Sequence, residues 1–160
     1  MQPQLRLITK EDDAEMGKLI KSVLTEFKAN KPGTAFYDES TDHLSTVFTD
    51  AKSAYWVLED GGKIVGGGGI YPTAGLPADT VELVKLYLSS ETRGKGFGKL
   101  IINQCIEHAR LLGYKNIYLE TMPELNQAVS LYEKLGFEYL PKALGNTGHF
   151  GCDIWMLKKL

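Results

Sequence analysis

Six consecutive residues, Arg93-Gly94-Lys95-Gly96-Phe97-Gly98, offer the clearest chemistry in this chain. Glycine lets a backbone turn tightly and come close to a ligand. The strongly apolar run Val81–Leu88 leads in and the amphipathic stretch Lys99–Leu112 leads out, so the local reading is strand, glycine turn, helix. A helix start presents unpaired N–H groups and the positive end of the helix dipole, which together suit an anion. Arg93, Lys95 and Lys99 bring cationic side chains to the same place. The spacing is not the dinucleotide fingerprint, whose third glycine follows two intervening residues. Nor is it a P-loop, since Gly98 is followed by Lys99-Leu100 in place of Lys-Ser/Thr.

Other reactive residues are scattered. Cys152 neighbours His149 in Gly148-His149-Phe150-Gly151-Cys152. A Cys–His pair can act as a nucleophile, although a place in a substrate wall is the weightier reading. Cys105 falls on the apolar stripe of the helix after the glycine turn and reads as core. His43 reads equally as a site-wall residue or an ordinary surface one. No group of Cys, His, Asp and Glu has zinc spacing, so no metal is expected.

The elements that must position these residues follow from periodicity and punctuation. Gln4–Ile8 reads as a first strand. Leu19, Ile20, Val23, Leu24 and Phe27 predict a helix from about Asp12 to about Phe27, started by Thr9 and stopped by Asn30-Lys31-Pro32-Gly33. Asp42–Phe48 reads as a short second helix. Ala54–Glu59 and Lys63–Tyr71 form a hairpin round Asp60-Gly61-Gly62. Four glycines, Gly66–Gly69, stand inside the second of these strands. They mark a bulge or a close approach by a backbone or ligand, or else let a helix pack closely. Pro72–Thr80 is a loop and Val81–Leu88 the most convincing strand. After the helix, which Gly113 stops, come a strand at Asn116–Thr121 and a helix at Asn126–Leu135, with Asn126 as N-cap and Gly136 as C′ glycine. Phe137–Leu140 and Asp153–Lys158 complete the strands, separated by a loop over Pro141–Gly151.

Composition narrows the function. The chain has 160 residues, 43% of them hydrophobic, which suits a single domain spanning 1–160. A net charge of −2 argues against nucleic-acid binding by bulk electrostatics. No apolar run reaches transmembrane length and no signal-peptide pattern opens the chain, so no membrane partner is expected. Two cysteines suit a reducing cytoplasm better than a disulfide scaffold.

The strand VELVKLYL, the loop Arg93–Gly98 and the later NQAVSLYEKLGFEY, Asn126–Tyr139, stand in one order and spacing. Together they resemble the GNAT superfamily of acetyl-CoA-dependent N-acetyltransferases, whose signature is Gln/Arg-x-x-Gly-x-Gly/Ala. The likeness is strong from about Val81 to Leu140. It implies an α/β (α+β) GNAT fold: a central, mostly antiparallel sheet of about seven strands, splayed at a bulge and flanked by about four helices. It implies acetyl-CoA as co-substrate. The pyrophosphate would sit on Arg93, Gly94, Lys95, Gly96, Phe97, Gly98 and Lys99, and the pantetheine arm along Leu86, Tyr87 and Leu88, with Asn126 nearby. It also implies Tyr132 as the acid that protonates the leaving thiolate, with the Leu88 amide as an oxyanion donor. Glu82 is the first candidate for the base, and Glu120, His43 or water are alternatives. The expected activity is transfer of acetyl to the primary amine of a small molecule by direct attack on the thioester. Rivals are a non-catalytic acyl-CoA sensor on the same fold and an enzyme acting on protein or peptide amines. Acidic Asp38, Glu39 and Asp42 hint at a cationic acceptor, or simply at a helix start. Family members are often dimers, so a homodimer is implied by the same resemblance.

Overall fold

In the computed structural model, which describes residues 2–160, a seven-stranded sheet is covered by helices on both faces. The strands are β1 (Gln4–Leu7), β2 (Ala54–Asp60), β3 (Lys63–Tyr71), β4 (Thr80–Leu88), β5 (Asn116–Thr121), β6 (Glu138–Leu140) and β7 (Ile154–Lys159). The helices are α1 (Asp13–Glu26), α2 (Leu44–Val47), α3 (Phe97–Leu111) and α4 (Asn126–Lys134). Strand order is β1-β2-β3-β4-β5-β7-β6, antiparallel throughout except for the parallel pair β4–β5.

The alternation of β2 explains the two layers. Trp56 and Leu58 face a core shared with Ile101, Ile102 and Cys105 of α3. Tyr55 and Val57 face the other core, with Met16, Ile20 and Leu24 of α1. A strand buried on both faces has to be apolar throughout, as AYWVL is. Gly61 and Gly62, with φ of +62° and +82°, make the two-residue β2–β3 turn, which needs both central residues in the left-handed region.

Three local expectations change. The helix after the glycine turn begins at Phe97, two residues earlier than Lys99, because Gly96 at φ +81° turns the chain directly into it. The stretch Asp42–Phe48 is not one helix. A 3₁₀ turn at Glu39–Asp42 is followed by the single-turn α2. Asn126 is the first helical residue, not the N-cap, and its side chain makes no capping bond.

The four glycines of β3 have a definite task. Opposite them, β4 carries a bulge: Gly67 pairs with Tyr87 and Gly69 with Val84, so Lys85 and Leu86 together oppose Gly68. Lys85 takes φ +50° there. Its carbonyl, thrown out of the ladder, accepts a hydrogen bond from the Tyr55 hydroxyl at 2.6 Å. Tyr55 reaches it by lying across Gly69 and Gly67. A Cβ on Gly69 would stand 2.7 Å from the Tyr55 ring and 2.4 Å from the Ala54 carbonyl, and one on Gly67 would stand 2.9 Å from the ring. Bare backbone on β3 therefore lets an aromatic ring from β2 brace the bulge on β4.

Candidate active site

The bulge opens the sheet. β4 pairs with β5 only from Thr80 to Glu82, opposite Asn116–Tyr118, and beyond that point the strands part. The gap is a cavity of about 210 Å³ between Leu83–Leu88 of β4 and Leu119–Thr121 of β5, closed at one side by Ala128, Leu131 and Tyr132 of α4. Ser89 N–H donates to the Val65 carbonyl, so Tyr87, two residues back, also turns its peptide groups to β3. Those of Leu86 and Leu88 then point into the open side.

At one end of the gap stands the glycine turn. Among the described residues, the amides from Gly94 to Lys99 donate to no carbonyl outside the helix. They are the free donors of a helix start, and Gly94 and Gly96, at φ +79° and +81°, turn the chain so that they gather. Gly98 is buried against Leu131 and Leu88, where a Cβ would come within 2.9 Å of the Leu131 side chain. The Lys95 and Lys99 side chains are exposed beside the amides. Arg93 is committed elsewhere. It forms a bidentate pair with Glu26, at 2.5 and 2.9 Å, donates to the Leu88 carbonyl at 3.0 Å, and lies 4.7 Å from the centre of the Phe27 ring. It ties α1 to the mouth of the gap. Asn126 is exposed and outside the cavity wall; its neighbours Gln127 and Ala128 line it.

Along the gap lies Tyr132. Its side chain is buried, with its ring 5.6 Å from that of Phe137. Its hydroxyl has no partner among the described residues, where no buried side-chain oxygen is left unpaired, so the hydroxyl opens on the cavity. Burial pushes it above the ordinary tyrosine range, which keeps it protonated.

At the far end is Glu82, 4% exposed. Burial pushes its carboxyl up to about 7, more than the 2.5 Å hydrogen bond from Thr73 can offset. Glu120 lies alongside and accepts from the hydroxyls of Tyr118, at 2.6 Å, and Thr147. Glu82, Glu120 and His149 bring ligand-type atoms within 4.8 Å of one another. That juxtaposition was invisible in sequence spacing. Two Glu and one His in such a group could hold a cation, and the same acids could equally receive an amine. The His149 Nε2 is 2.6 Å from Asp38, which also takes the Lys85 ammonium at 2.8 Å. Burial works against the Asp38 charge, but His149 and Lys85 outweigh it and hold the carboxyl down at about 2. Asp38 in turn raises His149. Burial drives the Cys152 thiol up to about 12, so the Cys–His pair has no thiolate to offer, and Cys152 is a wall residue beside Glu82 and Glu120. His43 is exposed on another face, in a groove with Lys18, Lys21 and Asp42, and does not reach the cleft.

Lys85 and Thr73 were missed by sequence reasoning. Neither had a local signal: the bulge at Lys85 and Leu86 is a matter of pairing with β3, and Thr73 comes from the loop before β4.

The sequence pattern of the acetyltransferase (GNAT) family matches residues 18–137. The chain belongs to the GNAT acetyltransferase family. A similar protein is the uncharacterized N-acetyltransferase YjgM of Escherichia coli K12, 41% identical over 160 residues, 99% of this chain and 95% of that one. The fold matches a crystal structure of a GNAT-family acetyltransferase from Staphylococcus aureus Mu50, with a TM-score of 0.87 at 15% identity over 99% of each chain. It also matches the PaiA N-acetyltransferase from Thermoplasma acidophilum in complex with coenzyme A, with a TM-score of 0.78 at 19% identity over the whole of both chains. The splayed sheet is thus a shared GNAT architecture, and the helix long and apolar enough to cross a membrane is absent among the described residues.

Proposed function

We propose that the protein transfers an acetyl group from acetyl-CoA to the primary amine of a small molecule by direct attack. One observation carries this: between β4 and β5, a cavity that reaches from Gly94 of the glycine turn past Tyr132 adjoins a second one lined by the buried Glu82, the two sharing Leu83, Lys85, Tyr87 and Glu120 as walls. The coenzyme A complex of the PaiA neighbour agrees with the reading. The amides of Gly94–Lys99 fit a pyrophosphate, with Lys95 and Lys99 adding charge. The peptide groups of Leu86 fit an extended amide-bearing arm, the Leu88 carbonyl being already bonded to Arg93. Acetyl-CoA supplies an activated thioester carbonyl to this cleft.

The chain's own residues then meet three demands. Glu82, poised near neutrality by burial, accepts a proton from the incoming ammonium, directly or through water. The Leu88 amide donates to the developing oxyanion. Tyr132, kept protonated by burial, donates to the departing thiolate. Asn126 is left to the mouth of the cleft. The free thiols and the donor point to the cytoplasm as the site of action. The test is acetyl-CoA binding by calorimetry, followed by thiol release with a panel of amines. Binding without release for any amine would favour an acyl-CoA sensor, and no binding of any CoA species would reject the reading altogether.

A further inference from the structure

Lys85 has a conformation and a place that the acetyl-transfer scheme does not use. Its backbone is left-handed, a position that bulges ordinarily give to glycine. The Lys85 side chain is 8% exposed, and its ammonium donates to Asp38 and to no other protein group among the described residues. An ammonium has three N–H donors, so two are without a partner among the described residues, on a side chain that lines the cleft.

The charges around it are sorted into two poles. Asp38 presents one oxygen to both Lys85 and His149, at 2.8 and 2.6 Å. That oxygen is thereby shared between two partners, and the Lys85 ammonium keeps N–H groups with no carboxylate of their own, which makes this the donor pole. The other pole is Glu82 with Glu120, whose carboxylates lie within 4.8 Å of each other and of the His149 ring. Lys85 and His149 of the one pole and Glu82 and Glu120 of the other line a single cavity of about 50 Å³. A molecule bridging them must carry an amine and an anionic group a few bonds apart, and must be small.

We propose that the acceptor is a small amino-acid zwitterion, with its carboxylate on Lys85 and its amine directed to Glu82. The assignment rests on the acetyltransferase reading. It also revises the sequence hint of a cationic acceptor, because Asp38 is already engaged by Lys85 and His149.

The experiment is steady-state kinetics of the full chain with acetyl-CoA and three matched series: the proteinogenic L-amino acids, their amides, and the corresponding decarboxylated amines. The expected result is a higher kcat/KM for one or more small amino acids than for their amides, by roughly 10- to 100-fold, the range of a hydrogen bond to a charged group. Lys85→Met should collapse that acid-over-amide ratio towards one, and Lys85→Arg should keep it. Wild-type protein that uses amides and simple amines as well as amino acids would overturn the zwitterion while leaving acetyl transfer standing. So would a Lys85→Met variant with an unchanged ratio. The wild-type series decides the matter even if the Met variant fails to fold. Coenzyme A binding with no transfer to any amine would overturn the acetyltransferase reading, and the zwitterion with it.

Discussion

Replacing Glu82 by glutamine removes one ionisable group from the cleft while keeping its shape and its acceptance of the Thr73 hydroxyl. An unfolded Glu82 titrates near 4.5, whereas burial moves the folded carboxyl to about 7. Between those values the folded chain holds a proton that the unfolded chain has lost. The native state therefore gains from low pH, and this contribution to stability is lost as pH rises from about 4.5 through about 7. The gap of about 2.5 pH units corresponds to about 3 kcal/mol. Glutamine has no such penalty. Glu82→Gln should match wild type at pH 4.5 and exceed it at pH 8.5 by up to about 3 kcal/mol, or roughly 6–12 °C in Tm for a domain of this size. Urea denaturation of both proteins at the two pH values measures it, and the difference between them cancels titrating groups far from Glu82, leaving Glu82 with its neighbours Glu120, His149 and Lys85. The same variant should lose amine-dependent thiol release, while wild-type kcat/KM should rise through about pH 7 as Glu82 ionises. A stability difference that does not depend on pH, or a glutamine variant less stable at pH 8.5, would refute the claim that burial holds this carboxyl protonated.

Tyr132→Phe removes the hydroxyl that opens on the cavity and should lower kcat by about 100-fold or more, the lower end of general acid catalysis, with little effect on folding. Full kcat across the pH range would take Tyr132 out of the acid role. Tyr55→Phe leaves the Lys85 carbonyl of the bulge without its donor. It should cost about 1–3 kcal/mol in denaturant titrations and weaken acetyl-CoA binding by loosening β4. Gly69→Ala drives a Cβ to 2.4 Å from the Ala54 carbonyl, a backbone atom that cannot swing aside, and should destabilise by about 1–3 kcal/mol. Gly61→Ala meets no neighbour and is the comparison that separates crowding from the general effect of added bulk; its cost should come only from its positive φ.

The parts of the site legible in the sequence are those written in consecutive residues. Arg93–Gly98 announced an anion cradle because glycine spacing and a helix start are local properties, and the amides there are indeed free. The helix α1 and the β2–β3 hairpin followed from periodicity and from Gly61-Gly62. The roles of individual side chains were harder to read. Arg93 does line the mouth of the gap, but its pairing with Glu26 and its place over Phe27 come from another element and could not be read locally. Asn126 looked like a cap, but a 3₁₀ turn at Pro123–Leu125 runs straight into α4 and leaves it no cap to make.

By itself the sequence determined the order of elements, the glycine turn between β2 and β3 and the glycine-rich start of α3 whose amides are free. Each depends on interactions within a few residues or on the period of one element. The tertiary structure alone decided where the sheet opens and what stands at the opening. A bulge on β4 exists because a tyrosine from β2 can cross bare backbone on β3, which is a relation among three strands. The Asp38–His149 contact joins residues 111 positions apart. Charge proximity of that kind leaves no trace in local spacing, and it is what holds His149 beside Glu82 and Glu120 at one end of the cleft.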